Sequence, residues 1–346
     1  MPIVRKKRSR SFGWVRKHLQ ASAGALVSFT LVVGGIAELL KPPTASVEPS
    51  PPHLTEAWSG IDGGCSPGAI APWTVHETSR VSTDAHASAL AVDESGVYWG
   101  IDSEGHDSSI VRATSGTKRL LLASKQVQPS AIALDASSVY WISGREIRVV
   151  SKTGGAVRAV VVESNPISAF AVDEAGLYWI ADGLLKRRAG GMPEVTVAMT
   201  PSASSLSLDA HAAYVGTKHG IIRVSKQTRE TTLLVEGEAP QLTQDGEHLY
   251  WADHGSVFRT SKDNGETTQV GPGSMCNTID GLAVDGERIF LTCGSAGTES
   301  LLMIPKVGGC PVSIRSNVQL PATLRAAGGA LYLSENPAGG IVRILP

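Results

Sequence analysis

The sequence predicts an all-β protein, a seven-bladed β-propeller of four-stranded antiparallel blades, with one N-terminal membrane helix before it. Three observations predict this fold. A pattern of 13 residues recurs seven times, a second pair of alternating runs follows the copies, and the two ends of the repeat region supply complementary parts of one blade. Repeats of about forty residues that contain four short strands are typical of propeller blades.

The first half of each repeat is marked by an Asp and, five residues later, an aromatic residue. Its seven copies are SALAVDESGVYWG (88–100), SAIALDASSVYWI (130–142), SAFAVDEAGLYWI (168–180), SSLSLDAHAAYVG (204–216), PQLTQDGEHLYWA (240–252), DGLAVDGERIFLT (280–292) and ATLRAAGGALYLS (322–334). The Asp position holds Asp93, Asp135, Asp173, Asp209, Asp245, Asp285 and, in the seventh copy, Ala327. The aromatic position holds Tyr98, Tyr140, Tyr178, Tyr214, Tyr250, Phe290 and Tyr332. These include all six tyrosines of the chain, and successive copies are 42, 38, 36, 36, 40 and 42 residues apart, so the repeat reflects structure and not chance.

Each repeat predicts two β-hairpins. In the first hairpin, an alternating run such as Ala89-Leu90-Ala91-Val92 forms one strand and Val97-Tyr98-Trp99 begins the next. The Asp between them is typical of a turn, because its carboxylate can accept from the backbone two residues on. A second hairpin is predicted in the segments 109–123, 146–162, 221–235, 256–270 and 301–314.

The two ends of the repeat region predict how the ring closes. The seventh repeat ends after its third strand, 340–345, so its fourth strand is missing. The segment Trp73-Thr74-Val75-His76-Glu77 is a single predicted strand before the first repeat. We expect this strand to be the outer strand of the seventh blade, because that pairing covers an edge that would otherwise be open.

The first 41 residues are basic and surround an apolar run. They hold eight of the 31 Lys and Arg residues against one acidic residue, Glu38, and residues 21–37 carry no charge. An uncleaved membrane anchor and a cleaved signal peptide both fit, and a buried globular helix is a third interpretation. The first two leave the basic residues in the cytoplasm and export the rest of the chain. The predicted organisation is a basic cytoplasmic head at 1–20, a transmembrane anchor or signal segment at 21–40, a proline-rich linker at 41–60 and the propeller at 61–346.

The remainder of the chain is acidic. It holds 23 basic and 31 acidic residues, a net charge of −8. A domain of this charge repels phosphate backbones, so we expect no nucleic-acid partner.

Four Tyr-Trp pairs resemble the YWTD propeller repeat of low-density-lipoprotein-receptor-like proteins. They are Tyr98-Trp99, Tyr140-Trp141, Tyr178-Trp179 and Tyr250-Trp251. The resemblance covers roughly 73–346, and bacterial exported propellers of unknown function with VYW-type repeats are more similar still. The motif's Thr-Asp is absent after the Trp, and the chain has seven units where that receptor family has six blades. The resemblance implies the fold and does not extend to receptor ligands.

Four cysteines in an exported chain suggest two disulfides. Cys276 precedes the first strand of the sixth blade and Cys293 follows its second, so antiparallel pairing predicts a Cys276–Cys293 bond. Cys310 lies in the turn between the third and fourth strands of that blade, and Cys65 lies just before the closing strand on the same rim. This placement predicts a Cys65–Cys310 bond. The alternative for all four is a buried free thiol.

The loops between the second and third strands are predicted to line one rim, which is the candidate binding face. Its polar residues are Asp102, His106, Asp107, Arg145, Asp182, His219, Asp253 and His254. Within the first of these loops Asp102, Glu104 and Asp107 are weak candidates for a divalent cation, but they lack a full ligand spacing, so no metal is expected. For each residue the alternative is ordinary exposed polarity.

The sequence contains no nucleophile, phosphate-binding or zinc motif, so no catalytic residue and no cofactor is expected. We expect a non-enzymatic extracytoplasmic binding or scaffold propeller, tethered to the membrane, whose partner is a protein, peptide or cell-envelope component. One alternative is a metal-dependent propeller hydrolase or lactonase with its site at the ring axis. Against it, the strands nearest the axis carry mostly Ala, Ser, Leu and Val. The other is an ectodomain that only oligomerises.

Overall fold

The computed structural model describes residues 77–84, 86–103, 107–114, 119–273, 275–295, 298–318, 323–335 and 340–345. In these ranges the regular structure consists of twenty-eight β-strands. Across the described ranges no helix is long and apolar enough to span a membrane. The predicted head at 1–20, membrane segment at 21–40 and linker at 41–60 lie outside them.

The strands follow the chain in groups of four after β1 (Glu77–Ser82). Blade 1 consists of β2 (Ala87–Asp93), β3 (Gly96–Ile101), β4 (Ser108–Ala113) and β5 (Arg119–Gln126). Blade 2 consists of β6 (Pro129–Leu134), β7 (Ser138–Ser143), β8 (Glu146–Ser151) and β9 (Arg158–Val162). Blade 3 consists of β10 (Ile167–Asp173), β11 (Gly176–Ala181), β12 (Leu184–Arg188) and β13 (Val195–Met199). Blade 4 consists of β14 (Ala203–Leu208), β15 (Ala212–Thr217), β16 (Gly220–Ser225) and β17 (Thr231–Glu236).

The last three blades follow the same order. Blade 5 consists of β18 (Leu242–Gln244), β19 (His248–Asp253), β20 (Ser256–Ser261) and β21 (Thr267–Val270). Blade 6 consists of β22 (Thr278–Asp285), β23 (Arg288–Ser295), β24 (Thr298–Pro305) and β25 (Val312–Ser316). Blade 7 consists of β26 (Thr323–Ala327), β27 (Ala330–Glu335), β28 (Gly340–Leu345) and, as its outer strand, β1.

The predicted seven blades of four antiparallel strands are confirmed, and so is the mode of closure. Each sheet contains four strands, and the closing sheet has the order β1-β28-β27-β26. The predicted end of the closing strand at Glu77 was wrong, because the described strand spans Glu77–Ser82; residues 73–76 lie outside the described ranges. The strand continues past Glu77 because its register pairs Glu77 with Leu345 and Ser82 with Ile341.

The first strands of the blades form the inner wall of the ring. Each contacts the first strand of the next blade, and β26 contacts β2. The ring therefore has two rims. We call the one that carries the loops between second and third strands the loop rim, and the one that carries the turns after Asp93 and its equivalents the Asp-turn rim.

Apolar side chains fill the space between blades. Trp99, Trp141 and Trp179 are fully buried, as are five of the seven residues at the repeated aromatic position, while Tyr140 and Tyr332 are partly exposed. The clusters extend across blade boundaries: Ile341 of blade 7 packs with Trp99 and its neighbours in blade 1. The repeated aromatic residues therefore pack the blades together, as burial of such large apolar surfaces favours.

The repeated Asp caps the turn of the first hairpin, as predicted. In blade 2, Asp135 Oδ1 accepts from the backbone amides of Ser137 and Ser138 at 2.8 and 2.7 Å, and Asp135 Oδ2 accepts from the Tyr140 hydroxyl at 2.8 Å. The same Tyr-to-Asp bond joins Tyr214 to Asp209 and Tyr250 to Asp245. Burial, with the bond to Asp135, raises the pKa of Tyr140 to about 12, so the hydroxyl stays a neutral donor.

At four of the blade junctions, a lysine from the next blade contacts the repeated Asp. These lysines were not predicted from the sequence. The pairs are Lys152–Asp93, Lys226–Asp173, Lys262–Asp209 and Lys306–Asp245. Each ammonium also lies 5.3 to 5.9 Å from the centre of the tyrosine ring in the preceding blade. These lysines link neighbouring blades by a charge-assisted bond and a cation–π contact.

The predicted Cys276–Cys293 disulfide is confirmed, with Cα atoms 5.3 Å apart. Cys293 lies within β23 and does not follow it, because β23 extends to Ser295 and pairs Cys293 with Ile279. Cys310 is not a free thiol. Cys65, its predicted partner, lies outside the described residues, so that pairing stays a prediction.

Candidate functional site

The loop rim brings the described members of the predicted binding face to corresponding positions in five blades. Asp102 and Asp107 lie in the β3–β4 loop, and Arg145, Asp182 and His219 lie in the equivalent loops of blades 2, 3 and 4. Asp253 ends β19, and His254 follows it. His106 and the weak metal candidate Glu104 lie outside the described residues.

Two of the loops are tight turns that direct their polar residue outward. Asp182 and Gly183 have φ values of 55° and 68°, and His254 and Gly255 have 44° and 75°. Two successive positive φ values define the hairpin turn whose twist matches that of the flanking strands. Gly255 is required for a second reason, since a Cβ there would lie 1.8 Å from the carbonyl oxygen of Cys276.

Asp102 connects blade 1 to blade 2. Its carboxylate accepts from Ser108 Oγ at 3.2 Å and from Gln128 Nε2 at 3.1 Å. Gln128 lies in the link between the two blades. In the described part of the chain, no group of three or more His, Cys, Asp or Glu residues is placed to hold a metal ion. Asp102 is therefore a hydrogen-bond acceptor of the rim, and the third weak metal candidate of its loop, Glu104, lies outside the described residues.

The other predicted residues have local partners. Arg145 donates to the carbonyl of Ser164 at 2.9 Å, and Asp253 contacts the His254 imidazole. The backbone amide of His219 donates to Thr217 Oγ1 at 3.0 Å, and the His219 side chain is exposed. Their polar groups lie at the surface of the loop rim.

An ion pair on the same rim was not predicted from the sequence. Lys186 Nζ lies 2.8 Å from Glu163 Oε1, which also accepts from the indole of Trp179 at 2.6 Å. Burial alone would raise the pKa of Glu163, but the bonds from Lys186 and Trp179 outweigh burial and lower it. Asp84 has an equivalent role in blade 1, accepting from the Trp99 indole at 3.0 Å. An acidic residue at the end of the outer strand, aligned with a Trp, is the signal that would have predicted both.

A cavity of about 160 Å³ opens on the loop rim between blades 5 and 6. It brings Asp253 and His254 together with Glu238, Asn277 and Thr278. Asn277 directly follows Cys276, and the Cys276 amide donates to the carbonyl of Gly255 at 3.3 Å. The disulfide therefore holds one wall of a cavity that offers carboxylate, imidazole and amide groups to a ligand.

Comparison with known proteins identifies the fold. No protein-family model matches the chain, and no curated protein matches it. The WD40 propeller domain of Doa1 is similar, with a TM-score of 0.58 and 12% identity over 78% of this chain and 95% of that domain. YCF48 bound to D1 peptide has a TM-score of 0.56 and 10% identity over 82% and 100% of the two chains. A nidogen–laminin complex shares 20% identity over 54% and 79% at a TM-score of 0.45. At these identities the likeness extends to the propeller fold.

Proposed function

We propose that the chain is a non-enzymatic binding or scaffold propeller that recognises a protein, a peptide or a cell-envelope component through its loop rim. One observation carries this proposal: ionisable side chains from five consecutive blades lie on that one rim, and a cavity opens between the fifth of these blades and the sixth. Polar groups presented by short loops on a rigid scaffold are typical of binding surfaces. The peptide held by the similar YCF48 propeller supports the choice of partner class.

The same proposal places the propeller outside the cytoplasm, as a YWTD-like exported domain. The buried Cys276–Cys293 disulfide supports an oxidising compartment. The basic residues before the apolar run at 21–40 support export, with that run either retained as a single membrane anchor or cleaved as a signal. The acidic charge of the remaining chain supports a partner that is not a nucleic acid.

Site-directed photocrosslinking in cells tests the binding face. A photoreactive phenylalanine derivative replaces Asp182, His219 or Asp253 on the loop rim, and Glu174 or Val307 on the Asp-turn rim as matched controls. All five positions are at least partly exposed. We expect a partner to be captured from the loop rim and not from the controls. Equal capture from both rims, or none from either, would contradict the proposal.

Metal analysis of the purified full chain tests the enzymatic alternative. Stoichiometric calcium or zinc that is lost when Asp102 and Asp107 are both replaced by Asn would favour the metal-dependent hydrolase. Equal metal content in the two proteins is the result expected for a binding propeller.

A further inference from the structure

A cavity of about 280 Å³ lies on the Asp-turn rim between blade 7 and blade 1. We call it the seam cavity. Blade 7 contributes Tyr332 and Arg343, the closing strand contributes Arg80, and blade 1 contributes Asp93, Glu94 and Thr114. It lies far from the proposed binding face, because the two rims are at opposite ends of the strands.

The seam cavity lies beside Tyr332, whose equivalents at four other junctions are contacted by a lysine. In strand register, Arg343 of blade 7 faces Tyr332 as Arg259 of blade 5 faces Tyr250. At the junction of blades 5 and 6, Lys306 reaches across to that tyrosine. The residue of blade 1 at the position of Lys306 is Ser115, which lies outside the described residues. The repeat therefore supplies no lysine side chain to this junction.

The Asp that the lysine would meet is also missing. Ala327 replaces it in blade 7, and the other six copies of the repeat all have Asp at this position. In blades 2, 4 and 5 the equivalent tyrosine hydroxyl donates to this Asp at 2.8 to 2.9 Å. The Tyr332 hydroxyl has no such acceptor in blade 7.

The guanidinium of Arg343 also lacks the acceptor that its equivalents have. Arg112, Arg223 and Arg259 each donate through Nη1 to the carbonyl of the lysine in the next blade, at 3.0 to 3.3 Å. Arg343 makes no hydrogen bond with the residues that the structure describes, although its buried, unpartnered Nε is a feature that it shares with Arg112. Two donors, a phenol and a guanidinium, thus line one cavity that lacks the carboxylate present in the other blades.

The charges around the seam cavity favour an anion. Arg343 supplies the positive charge; Arg80 also lines the cavity but makes a contact of its own. Of the two carboxylates in the wall, Asp93 is already paired with Lys152 of blade 2, and Glu94 is exposed at the surface. A guanidinium binds a carboxylate through charge-assisted bonds, which are the stronger class of hydrogen bond.

We propose that the seam cavity binds a carboxylate group, which accepts from the Tyr332 hydroxyl and the Arg343 guanidinium in place of the absent Asp. The carboxylate belongs to an acidic peptide or to a small organic acid. This site is independent of the loop rim and of any function proposed for it.

Titration of the purified full chain with defined probes tests the proposal. The probes are acetyl-Gly-Glu-Gly-amide, its Gln counterpart and succinate, and binding is followed by calorimetry. We expect the Glu peptide or succinate to bind at least tenfold more tightly than the Gln peptide. Tighter binding of the Glu peptide assigns the ligand to peptides, and tighter binding of succinate assigns it to small acids. If neither the Glu peptide nor succinate binds more tightly than the Gln peptide, the proposal is overturned.

Four variants test whether the carboxylate probe binds in the seam cavity. Arg343→Gln and Tyr332→Phe are each expected to weaken the carboxylate probe at least tenfold, while Arg259→Gln, at the same position of blade 5, leaves affinity within twofold. Ala327→Asp restores the repeat's own carboxylate, which should accept from the Tyr332 hydroxyl, add a negative charge near Arg343 and so abolish probe binding in a protein that folds normally. Unchanged binding by folded Ala327→Asp would show that the carboxylate binds elsewhere.

Discussion

The junction between blades 5 and 6 and the seam between blades 7 and 1 solve the same packing problem differently. At the first, Lys306 Nζ lies 2.7 Å from Asp245 and 5.3 Å from the Tyr250 ring centre, and its carbonyl accepts from Arg259. At the seam, Ala327 stands in place of the Asp, Ser115 stands at the lysine position of the sequence, and a cavity of about 280 Å³ lies beside Tyr332.

The seam shows that a Lys–Asp pair between blades is not required to close the ring. Five residue pairs join β1 to β28, and Ile341 packs fully buried against Trp99 and Val97 of blade 1. Backbone pairing and apolar burial therefore close the ring, and the polar pairs add to a ring that is already closed. This junction is where we propose that Tyr332 and Arg343 bind a carboxylate.

Ile341→Ala should have the largest effect, because it removes buried apolar volume from the seam. We expect the free energy of unfolding to fall by about 3 kcal/mol, the middle of the range for such truncations. Urea denaturation followed by tryptophan fluorescence measures the change. Leu233→Ala, at a side chain that is 52% exposed, is the control and should change stability by less than about 0.5 kcal/mol. Equal losses in both variants would mean that the seam does not depend on Ile341.

Lys306→Met should have an intermediate effect at the junction of blades 5 and 6. It removes the charge-assisted bond to Asp245 and keeps much of the aliphatic chain, so we expect a loss of about 2 kcal/mol. The control is Lys218→Met, an exposed lysine of the loop rim. If the two variants unfold at the same urea concentration, the lysine at the blade junction contributes nothing beyond its surface charge.

Asp245→Asn should have the smallest effect, and that effect should depend on pH. Burial alone would raise the pKa of Asp245, but the bonds from Lys306, the His248 amide and the Tyr250 hydroxyl outweigh burial and hold the pKa well below its usual range. The folded pKa therefore lies below the unfolded value of about 3.9, so ionised Asp245 stabilises the fold above that pH. This stabilisation is lost as the pH falls through the folded pKa.

The stability difference between wild type and Asp245→Asn should therefore be largest near neutral pH, about 1 kcal/mol, and should shrink below about pH 4. Urea midpoints measured from pH 3 to pH 7 test this. Asp135→Asn is the matched variant without a lysine, since bonds from the Ser137 and Ser138 amides and from Tyr140 lower its pKa against burial. Its difference should be smaller, and a pH-independent difference for Asp245→Asn would contradict the assignment.

Particular residues show where prediction from the sequence succeeded and failed. The turn-capping role of Asp135 was predictable, because its partners Ser137 and Ser138 lie two and three residues away. The Lys306–Asp245 pair was not, because 61 residues and a blade boundary separate the two. The signal would have been a recurring Lys just after the third strand. It lies three residues after the residue that pairs with the repeated aromatic residue of the same blade, as in Lys226, Lys262 and Lys306.

The sequence by itself determined the number of blades, the strand order within each blade, the closure of the ring by one early strand and the Cys276–Cys293 bond. These follow from a local period, since hairpins and turns depend on residues that are neighbours in the chain. Only the tertiary structure decided the register of the closing strand, the Lys–Asp pairs, the Glu163–Lys186 pair and the two cavities. Each of these depends on contacts between residues that are far apart in the chain, and the local sequence pattern does not specify which distant residues meet.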